Sequence, residues 1–391
     1  MNPFEENPRI NQWRRTAVMA GAAATVIALI GLFLDRDQFL RSYLFAFLLW
    51  TGLALGCLSI LLLHHTVGGK WGMLIRRMCE AGARTLPMFF VFVIPILISL
   101  PILYPWARPE AMQDANIRSK MAYLNIPFFV LRSIFYFAVW AYYAWRLSSL
   151  SAEQDRTGDG RLIDKMRAIS APGLVVITFV TTFAFIDWVM SLEPHWFSTI
   201  YGVMLLVGQV LMAFALVIGL VIIFSRQRPF SDFVTDQHLH DLGNMMFAFM
   251  VLWAYLSFSQ FLIIWSGNLP NETPWYLRRI RGGWGWLVIA LVLFHFALPF
   301  VLLLMRGVKR NADRLLRVCA LILVIRIVDM YWVVEPAFYN QRVRIHWLDF
   351  VMPVAIGGWW LAAFFWQLEK RPLLPFRDVR LEGAPRETVA F

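Results

Sequence analysis

Ten stretches of mostly apolar residues, each about twenty residues long, alternate with short polar segments along the chain. They run over 16–34, 43–63, 85–104, 126–147, 171–192, 200–224, 242–265, 284–305, 315–334 and 348–368. A hydrocarbon layer about 30 Å thick takes roughly 20 residues of helix. Lipid offers backbone groups no hydrogen bonds, so each stretch predicts a membrane-crossing α-helix. The pattern defines an all-α integral membrane protein of about ten transmembrane helices, a single polytopic domain over 1–391. The longest connections, 104–125 and 148–170, leave no room for a separate soluble domain.

Two stretches carry extra detail. The third contains Pro87, Pro95 and Pro101, each of which removes a backbone hydrogen bond. A bent helix packed against neighbours is expected there. Residues 1–15 are polar and of mixed charge, and no small-residue cleavage site closes the first apolar run. The first stretch therefore reads as a retained span rather than a signal peptide.

Composition agrees with the pattern. Of 391 residues 59% are hydrophobic and only 16% charged, against about 25% charged in soluble domains. The net charge of +11 is spread through loops instead of forming the basic stripe a nucleic-acid binder needs. The alternate loops that include both termini hold more than twice as many Lys and Arg residues as the others, which places both termini in the cytoplasm. Trp188, Trp196, Trp265, Trp275, Trp284, Trp332 and Trp347 gather near the opposite interface, where aromatic rings favour the headgroup layer.

Charged and titratable residues inside spans are costly, and so mark functional candidates. Arg132 lies about six residues into the fourth span and Asp187 about five residues from the end of the fifth. Both fall roughly 8–9 Å below the outer boundary at 1.5 Å per residue, a depth at which antiparallel neighbours bring them side by side. Glu193 and His195 follow at the outer edge. With Asp187 they form a candidate proton relay to the outer water. An Arg–Asp pair that merely holds two helices together has the same sequence signature.

A second group lies in later spans. Arg326 and Asp329 are three residues apart and share a helical face. His295 sits near the middle of the eighth span and Gln260 toward the outer end of the seventh. His238, His240 and Asp241 lie in the polar stretch before the seventh span. They give a candidate cytoplasmic half-channel from His240 and Asp241 toward His295, Arg326 and Asp329. His64, His65, His238 and His240 at cytoplasmic helix ends leave bis-histidine haem ligation open, although interfacial solvation explains them equally well.

Other chemistry is excluded. Cys57, Cys79 and Cys319 are too scattered for a c-type haem motif and too few for an iron–sulfur cluster. No metal or cofactor set is evident, nor any phosphate-binding glycine loop, HExxH motif or nucleophile elbow.

Two segments go beyond general physics: DWVMSLEPHWFSTIYG, from Asp187 to Gly202, and SQFLIIWSGNLPNETPWY, from Ser259 to Tyr276. Both resemble the NrfD/PsrC-like family of membrane subunits, in particular the ActF-type subunit of alternative complex III, a quinol:cytochrome c or electron-carrier oxidoreductase. The resemblance extends over nearly the whole chain in span number and loop length. It implies two four-helix bundles, spans two to five and six to nine, flanked by the first and tenth spans. It implies a bacterial inner membrane location, quinone (menaquinone or ubiquinone) oxidised near the outer face, and haem c and iron–sulfur clusters carried by partners. Those partners are a multihaem cytochrome c subunit, an iron–sulfur subunit, a second NrfD-like subunit and smaller membrane subunits. The family's quinone pockets lie in the first bundle, where Arg132 and Asp187 fall. The rival classes are a secondary transporter, which predicts inverted repeats and paired broken helices, and a purely structural membrane subunit.

Overall fold

A computed structural model describes residues 8–228, 230–339, 342–378, 380 and 381. No β-strand occurs among them. Ten long helical segments follow in order: α1 (Pro8–Leu34), α2 (Arg36–Val67), α3 (Arg76–Ile98), α4 (Ile126–Thr157), α5 (Arg161–Trp188), α6 (Tyr201–Phe224), α7 (Asp236–Gly267), α8 (Trp284–Leu304), α9 (Ala312–Val334) and α10 (Leu348–Glu369). Nine of them are long and apolar enough to cross a membrane. The tenth, α9, has comparable length but carries Asp313, Arg314, Arg317, Arg326 and Asp329.

Polar residues begin the helices where the apolar pattern starts. Asp35 accepts from the Gln38 amide at 3.0 Å, Asn125 from Phe128 at 2.9 Å and Asn311 from Arg314 at 3.0 Å, each satisfying a donor that the first turn leaves free. Thr235 and His238 form a reciprocal cap at the start of α7. The prolines of the third stretch act as expected: α3 is broken near Arg84 and Val93, and after Ser99 the chain continues in a separate short turn, Leu100–Leu103.

The helices close into two rings. In the first, α2 packs on α3 and α5, and α4 fills the gap between those two; in the second, α6 packs on α7 and α9, and α8 fills the corresponding gap. The chain thus forms two four-helix bundles. They join through α2 and α6, whose apolar windows are each 89% buried against 28% for α1 and α7. Small residues permit this seam: a Cβ on Gly56 would lie 2.4 Å from the Gln209 carbonyl oxygen. The outer pair, α1 and α10, pack on each other, with a Cβ on Gly358 falling 2.4 Å from Gly21 Cα.

Arg14 pairs with Glu369 at 2.8 Å, so α1 starts and α10 ends on one side of the bundle, here termed the basic end. Phe33, Tyr255, Trp286 and Ile98 are among the large apolar side chains turned outward. A surface of this kind is suited to lipid, and the molecule is a multi-pass membrane protein.

Candidate functional sites

The first site lies between α4 and α5, toward the end opposite the basic end. Arg132 donates from Nε to Asp187 Oδ2 at 2.7 Å and from Nη2 to Oδ1 at 3.0 Å, the two-pronged geometry that suits guanidinium and carboxylate. The Tyr136 hydroxyl donates to Oδ2 at 2.6 Å, and Arg132 Nη1 donates to the Tyr123 carbonyl at 2.9 Å. Asp187 is fully buried and Arg132 nearly so. The guanidinium lies 3.8 Å from the Tyr123 ring centre and 4.3 Å from that of Phe128, which lowers the cost of holding a cation away from water.

Aromatic packing fixes this pair. The Trp188 ring is surrounded by Phe47, Phe137 and Trp140 at 5.3–5.7 Å. Its indole N–H donates to Ser133, and its carbonyl accepts from the Tyr104 hydroxyl at 2.9 Å. The buried Tyr123 hydroxyl faces the Asp187 carboxylate and the Tyr136 hydroxyl without a well-formed hydrogen bond to either, and the Trp140 indole N–H is also unpaired.

Glu193 and His195 have partners of their own. Glu193 binds Arg278 at 2.7 Å and Arg279 at 2.8 Å, both from the segment joining α7 to α8. Arg279 is buried, stacks on Trp275 at 3.8 Å and donates to the Val333 carbonyl at 2.8 Å. Glu193 therefore ties the two bundles together at this end. His195 is exposed and hydrogen-bonded to Asp114 at 2.6 Å, and that bond holds the Asp114 carboxyl below its ordinary range. No hydrogen bond links Asp187, Glu193 and His195 to one another among the described residues; a relay through them requires water between.

In the second bundle Arg326 and Asp329 form a buried ion pair. A Cβ on Gly208 would lie 2.5 Å from Arg326 Nη1, so the glycine makes room for the guanidinium. His295 is fully buried in a π-helical turn, Leu291–Ala297, with neither ring nitrogen hydrogen-bonded. Such turns recur at functional sites. Its ring lies 3.7 Å from that of Trp253. Gln260 is buried and accepts from Ser198 at 3.3 Å.

His240 and Asp241 sit at the basic end, 3.5 Å apart. From there to Trp253 the buried face of α7 consists of Leu242, Gly243, Met246 and Met250, so the side chains alone build no polar track to His295. His238 is occupied in the helix cap. His64 and His65 are buried neighbours, 5.5 Å between ring centres, beside Trp71.

Two polar groups escaped the sequence reading because their members are scattered along the chain. At the basic end Arg76, Arg77 and Glu80 are buried with Ser151, Gln154 and Asp378. At the opposite end Asp349 accepts from Ser42, Gln38 and the His346 amide. Nearby Glu335 is fully buried with both carboxyl oxygens unpartnered. Burial pushes its carboxyl up to about 8, with Asp349 adding to the rise and Arg41 opposing it.

Fold and sites together define a polytopic α-helical membrane protein of two four-helix bundles, each enclosing a buried arginine–aspartate pair. No family model and no curated protein matches the chain.

Proposed function

We propose that this chain is an NrfD-like membrane subunit of a quinol:electron-acceptor oxidoreductase of the alternative complex III type, in a bacterial inner membrane with both termini cytoplasmic. The observation that supports this reading is the buried Arg132–Asp187 pair with the loosely held Tyr123 hydroxyl beside it, at the start of the DWVMSLEPHWFSTIYG segment on which the resemblance rests. A quinol bound there supplies two protons and two electrons. Tyr123 and Tyr136 orient the hydroxyl-bearing ring edge, and Asp187, held by Arg132, receives or relays a proton. Protons leave past Glu193 and His195. The chain hands electrons to an iron–sulfur partner, which passes them to haem c. His240, Asp241, His295, Arg326 and Asp329 serve a second, water-filled proton path in the other bundle.

One feature favours a second reading, a structural subunit that docks redox partners. Both Asp187 oxygens and all three Arg132 nitrogens are already engaged. The two readings separate in Tyr123→Phe and Asp187→Asn assembled complexes. Reduced quinol turnover at normal subunit stoichiometry supports the redox reading. Normal turnover per assembled complex with poor assembly supports the structural one.

A further inference from the structure

At the basic end, between the first part of α3 and the end of α10, lies a small, partly open cleft lined by Arg77, Glu80, Arg84, Gln367 and Arg371. Its charges do not balance. Glu80 serves Arg76, Arg77 and Arg371 at 2.8–3.2 Å, Asp155 serves Arg77, and Asp378 serves Arg76 and Arg380. Arg84 and Lys370 have no carboxylate partner among the described residues. The charge acting on Arg84 is that of Arg371, and those acting on Lys370 are Arg84 and Arg371. Glu369, next to Lys370, is tied to Arg14. Like charges are thus held together at the mouth of a cleft, a cost that a bound anion removes.

The surface leading away from the cleft identifies the anion. Pro87, Val91, Ile94 and Ile98 recur at helical spacing after Arg84 and are exposed, Ile98 at 73%. They form an apolar stripe running from the cation group along the membrane-facing side of α3. Across the cleft Lys370 lies 3.0 Å from the centre of the exposed Trp366 ring, the pairing of cation and indole typical of a headgroup layer. A free phosphate uses the cations alone, whereas a phospholipid uses both the cations and the stripe. Basic pockets between transmembrane helices on the cytoplasmic side, where the proposed orientation puts this end, hold anionic headgroups.

We propose that Arg84, Lys370 and Arg371 hold the phosphate of an anionic phospholipid whose acyl chains lie along Val91, Ile94 and Ile98. The test uses the full-length chain in nanodiscs of phosphatidylcholine carrying increasing phosphatidylglycerol, with bound lipid counted by native mass spectrometry. The wild type takes phosphatidylglycerol in preference to phosphatidylcholine. Arg84→Gln with Lys370→Gln weakens that preference roughly 30-fold, as expected for two basic residues near a headgroup. Arg306→Gln with Arg314→Gln, which removes the same charge from exposed positions at the same end, changes it less than about threefold. Equal loss in both double variants, or none in the first, overturns the proposal. So does protection of the detergent-solubilised wild type against heat by inorganic phosphate equal to that by phosphatidylglycerol. Should the first double variant not fold, a photo-crosslinkable phosphatidylglycerol on the wild type decides: label within 84–98 and 366–371 supports the site, and label only elsewhere overturns it.

Discussion

Arg132 and Asp187, 55 residues apart in sequence, meet through two hydrogen bonds of 2.7 and 3.0 Å with the carboxylate fully buried. Removing one partner leaves the other buried and uncompensated. Arg132→Gln or Asp187→Leu is expected to destabilise the protein by about 3–5 kcal/mol. The double variant Arg132→Met with Asp187→Leu recovers most of that loss, because an apolar pair of similar volume leaves no buried charge. Thermal unfolding in detergent micelles measures both effects.

The Glu193 tie between the bundles predicts unequal costs. Arg279 is buried and Arg278 is 40% exposed at its side chain. Arg278→Gln is expected to change stability by less than about 1 kcal/mol. Arg279→Gln costs several times more, because Glu193 loses a buried partner and the Val333 carbonyl a donor. Chemical unfolding of the two variants side by side checks the ratio.

Gly208 and Gly219 lie on the same helix in different surroundings. A Cβ at Gly208 meets the Arg326 guanidinium at 2.5 Å, whereas one at Gly219 finds its nearest atom at 3.6 Å. Gly208→Ala is therefore expected to destabilise by about 1–3 kcal/mol. Gly219→Ala is neutral or stabilising by up to about 1 kcal/mol, since alanine is the better helix former. Relative melting temperatures of the two variants distinguish the cases.

Much of the architecture was legible because membrane helices are specified by length and apolarity, which are local properties. The prolines announced the breaks in α3, and helical rise alone brought Arg132 and Asp187 to one depth. Helix ends were less legible. The apolar run 43–63 sits inside α2 (Arg36–Val67), and 126–147 inside α4 (Ile126–Thr157), because polar residues continue a helix past the hydrocarbon without changing its period. Partners brought together only by tertiary packing left no local signal. Arg76 meets Asp378, Glu193 meets Arg279, and Gln38 meets Asp349, each across a large sequence separation. The π-turn around His295 was equally silent, since an extra residue in a turn leaves the apolar pattern intact.

Glu335 gives a pH dependence of defined sign. Its folded-state value of about 8 lies above the ordinary 4.5, so the folded protein binds the extra proton between those two values. Stability is full below about pH 4.5 and falls as pH rises toward 8, by a few kcal/mol in all. Glu335→Gln removes that slope and raises the melting temperature at pH 8 relative to wild type. Melting curves at pH 5, 6, 7 and 8 measure it.

On the proposed function, Asp187 takes part in moving protons during quinol oxidation. The most direct test is steady-state quinol:acceptor activity against pH for complexes carrying Asp187→Asn, an isosteric change that keeps a hydrogen-bond acceptor for Arg132, with turnover normalised to assembled complex. Turnover lowered about 10²-fold or more, with an altered pH profile and normal subunit stoichiometry, is the predicted result. Unchanged turnover with an unchanged pH profile would contradict it.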